Sequence, residues 1–225
     1  MKLLPVSLAL RALAFAGLAA ALPAAHALNV TLDFSGNICG AAGNLACSNF
    51  SEIGSNYGDQ LGALDVSYRS GRTSDGSTYE PFMKFWDNGY SGLQNVAWGG
   101  ADSANYFSEI TFTPLAGQQV TLNSFDFGDY LDRNRGSSVA VYDLSNVLLW
   151  NGGAFDPGLT PTGFSPAISS SSGLVLRFGP DGYDVGIDNI NLTVSAAALV
   201  PEPETYALML AGLVALGAAA RRRQR

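Results

Sequence analysis

Histidine is nearly absent: the 225 residues contain one, His26, and it lies in an N-terminal segment whose pattern marks it for removal. A mature chain without histidine has no imidazole for a catalytic triad or a histidine metal site. Lysine is scarce too. Between residues 28 and 200 only Lys84 occurs, beside Phe85 and Trp86 and with no serine motif near it, so a serine-lysine mechanism finds no support. Positive charge in general is short in that stretch, where six basic residues face seventeen acidic ones for a formal charge of −11. Such a field repels phosphate backbones, which excludes nucleic acid as a partner and favours divalent cations. The other six basic residues, Lys2, Arg11, Arg221, Arg222, Arg223 and Arg225, are all terminal.

The two ends differ from the middle in composition. In residues 1–27, Lys2 and Arg11 precede an apolar run from Ala12 to Leu22, and Pro23 leads into Ala25-His26-Ala27. That is the pattern of a secretory signal peptide, with cleavage expected after Ala27. Residues 198–225 have three parts in order: Pro201-Glu202-Pro203, an apolar stretch from Tyr206 to Ala220, and the closing arginines. Proline bars helix continuation upstream, the apolar stretch permits a helix, and the arginines hold the far end in the cytoplasm. Fifteen residues of helix span about 22 Å, short of a hydrocarbon core of about 30 Å, which suits a processing signal better than a lasting anchor. The tail resembles the PEP-CTERM sorting signal. The resemblance implies transient inner-membrane insertion of a transmembrane helix, recognition by an exosortase-type membrane protease and removal of the tail. It also implies release or surface display by a Gram-negative bacterium that makes exopolysaccharide.

Residues 28–197 alternate short apolar-polar runs with Gly, Ser, Asn and Asp clusters, the signature of strands and turns. Leu28, Val30, Leu32 and Phe34 share one face of a first strand. Val185 and Ile187, then Ile190, Leu192 and Val194, mark a last strand with a register shift near Asp188-Asn189. Further strands are expected near 61–69, 80–86, 93–98, 105–113, 119–127, 138–143, 146–150 and 174–178. Residues 151–173, with three prolines and five glycines, read as a long surface connection. About ten short strands and no amphipathic helix predict an all-β domain, an antiparallel two-sheet sandwich of jelly-roll kind, flanked by the leader and a short C-terminal hydrophobic helix. Cys39 and Cys47 bracket CGAAGNLAC, and an exported chain meets an oxidising compartment, so the two are expected to pair.

Two acidic clusters offer carboxylates in glycine-bearing turns, Asp126 to Asn134 and Asp181 to Asn189, which suits calcium although neither is an EF-hand loop. Solvated turn residues are the plainer reading of the same pattern. The stretch Gly186-Ile187-Asp188-Asn189-Ile190 is similar to the last strand of jelly-roll carbohydrate-binding modules. That resemblance implies a structural calcium held by Asp188, with Asp33 on the first strand as companion. Aromatics are dense from Tyr79 to Phe107. Exposed Trp and Tyr make platforms for sugar rings; Trp86 and Tyr90 are the candidates, with Asp87 and Asn88 as hydroxyl partners and Trp98 as a second wall. No catalytic constellation stands out, and no enzyme activity is expected. The leading expectation is an exported surface or biofilm-matrix protein that binds extracellular polysaccharide. The alternatives are a matrix-acting glycoside hydrolase with a carboxylate pair and a purely structural matrix protein.

Overall fold

The computed structural model describes residues 27–131, 136–197 and 203–223. The expected leader up to His26, Pro201 and Glu202 of the tail motif, and the end of the first acidic cluster from Asp132 to Asn134 lie outside the described residues.

Alternation of inward and outward side chains builds thirteen strands among the described residues: β1 (Leu28–Leu32), β2 (Leu64–Arg72), β3 (Thr78–Glu80), β4 (Lys84–Trp86), β5 (Val96–Trp98), β6 (Tyr106–Pro114), β7 (Gln118–Asp129), β8 (Ser137–Tyr142), β9 (Leu148–Phe155), β10 (Thr162–Phe164), β11 (Ile168–Ser170), β12 (Leu174–Gly179) and β13 (Val185–Ala196). They form two antiparallel sheets. One runs β10-β7-β13-β5-β4, with β1 also on β13 and β11 also on β7; the other runs β3-β2-β6-β12-β8-β9. The inward faces meet in one core. Leu64 and Val66 of β2, Ile110 and Phe112 of β6 and Leu174, Leu176 and Phe178 of β12 oppose Val120, Leu122, Phe125 and Phe127 of β7 and Ile187, Ile190 and Leu192 of β13. Rings fill its centre, with Phe127 stacked on Phe155 at 4.6 Å and tilted against Phe178 at 4.9 Å.

The expected sandwich is therefore present, and so is the register shift. Pairing of β13 with β7 slips between Asp188 and Asn191, and Asn189 takes a positive φ of 53°. One extra residue there restores Ile190, Leu192 and Val194 to the face that Val185 and Ile187 occupy. Two expectations are corrected. Residues 80–86 are not one strand: β3 ends at Glu80 in the six-stranded sheet, and β4 begins at Lys84 in the other. Pro81 cannot donate to a ladder, so the chain leaves one sheet there and enters the second, with Met83 fully buried between them. Residues 151–173 are not a bare connection either. They hold the end of β9 and the short strands β10 and β11, which pair with β7 at an edge where missing side chains and prolines are tolerated.

Cys39 and Cys47 form a disulfide with Cα atoms 5.2 Å apart. It closes a turn in the long β1–β2 connection, which the paired hydrogen bonds of Cys39 and Leu45 also hold. Loop closure of this length is worth about 2.5 kcal/mol in the chain-entropy account.

After the sandwich comes α1 (Pro203–Arg223). Among the described residues no helix is long and apolar enough to cross a membrane, so the transmembrane helix expected from the tail finds no support.

Candidate functional site

The aromatic residues chosen from the sequence do come together, but as packing. Trp86 ends β4, Trp98 ends β5, and Tyr90 lies in the turn between them. Trp98 and Tyr90 are each 2% exposed, and the Tyr90 hydroxyl donates to the Tyr183 carbonyl at 3.0 Å. Gly128 of β7 accommodates this turn, since a Cβ there would overlap the Tyr90 carbonyl oxygen. Trp86 is half-buried, edge-on to Phe50 at 4.9 Å and to Tyr130 at 5.1 Å. Rings crossing at 70–83° cannot form a flat platform. The expectation of Tyr90 and Trp98 as sugar-stacking walls is thus corrected: edge-to-face packing gives these rings more than exposure would.

Asp87 and Asn88 do stay exposed. Asp87 lines a polar cavity of about 590 Å³ together with Asn37, Ser48, Asn49, Phe85 and Asn95. Its backbone N–H donates to Asn49 Oδ1 at 2.8 Å, which joins the disulfide loop to the end of β4. Phe50, 54% exposed, follows directly in the chain. Asn37, Asn49 and Asn95 carried no signal in the sequence, because only the disulfide loop folding back onto β4 makes them neighbours.

The acidic clusters are redistributed. Asp188 of β13 lies directly opposite Asp126 of β7, and β1 delivers Asp33 beside them through the pairing of Leu32 with Ile190. Asp33 accepts from the Ser35 N–H and hydroxyl at 3.1 and 2.8 Å and from the Tyr57 hydroxyl at 3.5 Å. Asn189 donates its N–H to Asp188 at 2.7 Å and its amide to Asp126 at 3.1 Å. Asp188 is buried, and its pKa is pushed up to about 7, by desolvation first and then by the negative charges of Asp33 and Asp126, against the Asn189 hydrogen bond. Asp181 and Asp184 instead gather with Asp102, their carboxylate oxygens within 4.8 Å of one another. Asp129, Asp181 and Asp184 all engage other groups of the fold.

The raised pKa of Asp188 sets a pH dependence. Between the unfolded value near 4 and the folded value near 7 the native state holds the extra proton, so stability contributed by this group is full below about 4 and is lost as pH rises towards 7. In chelator, the melting temperature should fall by about 5 °C over that window, on a discounted contribution of about 2 kcal/mol. Asp188→Asn should flatten that part of the profile. An unchanged slope in the variant would refute the assignment.

A third arrangement, on the outer face of the six-stranded sheet, was invisible in the sequence. Outward residues of β2, β6, β8 and β12 place Arg69, Phe107, Glu109, Tyr142 and Arg177 side by side. Glu109, 4% exposed, accepts from Arg69 Nε at 2.5 Å through one oxygen and from Arg177 Nε at 2.8 Å through the other, which also lies 2.7 Å from Arg177 Nη2 in the ion pair, while that Nη2 donates to Asn146 Oδ1 at 3.0 Å. The Arg177 guanidinium lies 4.8 Å from the Phe107 ring centre and 4.7 Å from that of Tyr142. Two shallow cavities flank it, of about 390 and 340 Å³.

Residues 199–223 match the PEP-CTERM protein-sorting motif. The tail therefore carries the pattern of a sorting signal. It implies an exported protein processed at the membrane by an exosortase-type system, and its 25 residues leave the sandwich unassigned. No curated protein matches the chain in sequence. Among solved structures, the chain is similar to an isomalto-dextranase of Arthrobacter globiformis T6 complexed with panose, at 9% identity and a TM-score of 0.32. The likeness covers 75% of this chain and 32% of that one, so the chain spans about a third of its neighbour's length.

Proposed function

We propose that this is a non-catalytic surface or matrix protein of a Gram-negative bacterium, exported along the PEP-CTERM route, whose sandwich associates with extracellular polysaccharide. The observation that supports the reading is the polar cavity at the end of β4, lined by the carboxylate of Asp87 and the amides of Asn37, Asn49 and Asn95. Amides and a carboxylate match the donor and acceptor pairs of sugar hydroxyls, and the volume lies in the range of saccharide-sized ligands. Affinity at one such site is modest, and retention comes from several copies engaging one polymer.

The test is retention of the secreted protein on the producer's own exopolysaccharide, native against Asp87→Ala. Loss of a charged hydrogen-bonding partner should weaken retention about tenfold. Equal retention of the two discards this cavity, and no retention of either favours the purely structural role. A structural calcium at Asp188 with Asp33 belongs to the same reading, since Asp33 and Asp126 lie within electrostatic reach of Asp188 and carboxylates are hard oxygen ligands. Its binding would replace the proton on Asp188, so added calcium should abolish the stability loss between pH 4 and 7.

A further inference from the structure

We propose that the trough on the outer face of the six-stranded sheet is a second binding site, a receptor for the carboxylate of an acidic saccharide such as a uronate. The saccharide class rests on the polysaccharide reading above, but the site shares no residue with the Asp87 cavity. Of the six basic residues between positions 28 and 200, three come to this face, from a stretch whose formal charge is −11. Arg69 and Arg177 are held by Glu109. Arg72, at the end of β2, is not. Its guanidinium lies 5.0 Å from the Tyr79 ring centre, and its Nη1 is shielded from solvent without a hydrogen-bond partner. Asp75, whose carboxyl lies within the electrostatic reach of Arg72, is exposed and accepts from the Ser77 N–H at 2.9 Å instead.

The cavity of about 390 Å³ is lined by Arg72, Arg177, Phe107, Tyr142, Ser138 and Thr73 among others, and by no carboxylate. Arg72 lines this cavity together with Arg177, so an incoming carboxylate meets two guanidinium groups and can take charge-assisted hydrogen bonds from their accessible N–H groups. Arg177 is fixed in orientation by its Nε hydrogen bond to Glu109, by the Nη2 hydrogen bond to Asn146 and by the rings on either side, so its remaining N–H edge is preorganised. The hydroxyls of Ser138, Thr73 and Tyr142 match those of a sugar ring. The neighbouring cavity shares Gly76 and Arg177 with the first but is also lined by Glu109 and Asp143, so the carboxylate is assigned to the first cavity and the polymer continues past it through its hydroxyls.

The experiment measures binding of the secreted protein to de-esterified polygalacturonate, to its methyl-esterified form and to dextran sulfate. The native protein should bind the de-esterified polymer at least tenfold more tightly than the ester, which keeps the backbone and loses the charge. Arg72→Gln should weaken that binding at least tenfold. Since Arg72 makes no ion pair with Glu109, the variant leaves the central salt bridges in place. Ser138→Tyr, which fills the cavity from an exposed position of β8, should weaken it as much with Arg72 intact. Asp87→Ala should bind polygalacturonate like the native protein, whatever it does to the neutral polymer. Equal binding of acid and ester, or of native and Arg72→Gln, overturns the proposal, as does dextran sulfate bound as tightly as polygalacturonate. Loss in Asp87→Ala but not in Arg72→Gln overturns it too, and returns the binding to the cavity at β4.

Discussion

Replacing Pro201-Glu202-Pro203 with alanines should leave a membrane-retained precursor and reduce release of the protein more than tenfold. The three residues stand at the boundary between the sandwich, whose last strand ends at Ala196, and α1, which runs from Pro203 to Arg223. Proline bars helix continuation upstream of the motif, and the sorting reading makes these residues the recognition element of the protease. Alanine has the highest helix propensity and would carry the helix through the motif. The clustered Arg221, Arg222 and Arg223 remain in the variant, so its orientation by positive charge is preserved and only recognition is altered. Intact mass of the native secreted form should show loss of residues 1–27 and of the segment after about Val200. Trimming and release of the variant at the native rate would contradict the sorting mechanism.

What the sequence disclosed and what it concealed divide along one physical line. Periodicity reports which side of a strand faces inward. Thus the three-residue step from Ile187 to Ile190, among neighbours spaced by two, disclosed the bulge at Asp188-Asn189 before any pairing was known. The nearness of Asp33 to Asp188 came instead from the resemblance to jelly-roll carbohydrate-binding modules, and β1 does pair with β13. Which strands lie side by side is not written in periodicity. Residues 80–86 have a strand's composition throughout, yet Pro81 marks a change of sheet that alternation alone does not register. Aromatic density from Tyr79 to Phe107 likewise reported hydrophobic surface without saying whether it would be spent inside, and Trp98 and Tyr90 went inside. The arginine trough was least legible of all. Glu109 meets Arg69 from 40 residues before it and Arg177 from 68 residues after, and nothing local to any of the three points to the others.

That convergence carries the largest expected effect on stability. Glu109→Gln should lower the melting temperature by about 10 °C, because it removes the negative charge that Arg69 and Arg177 share. In the native protein the carboxylate is almost fully buried, while the two arginine side chains keep 30% and 26% of their exposure. Breaking a buried pair leaves an uncompensated charge and costs about 3–5 kcal/mol; partial solvation of the arginines places this site near about 3 kcal/mol, which a domain of this size converts to roughly 10 °C. The loss comes from the arginines left behind, so a second variant separates that cause from poor packing. Replacing all three partners with apolar residues of similar volume, Glu109→Leu, Arg69→Met and Arg177→Met, should restore most of the lost stability, since no charge then remains without its partner. Thermal melts at low and at 0.5 M salt complete the comparison, because a buried cluster is screened far less than a surface pair. A Glu109→Gln protein that melts with the native one would show that water, not this carboxylate, neutralises the two guanidiniums.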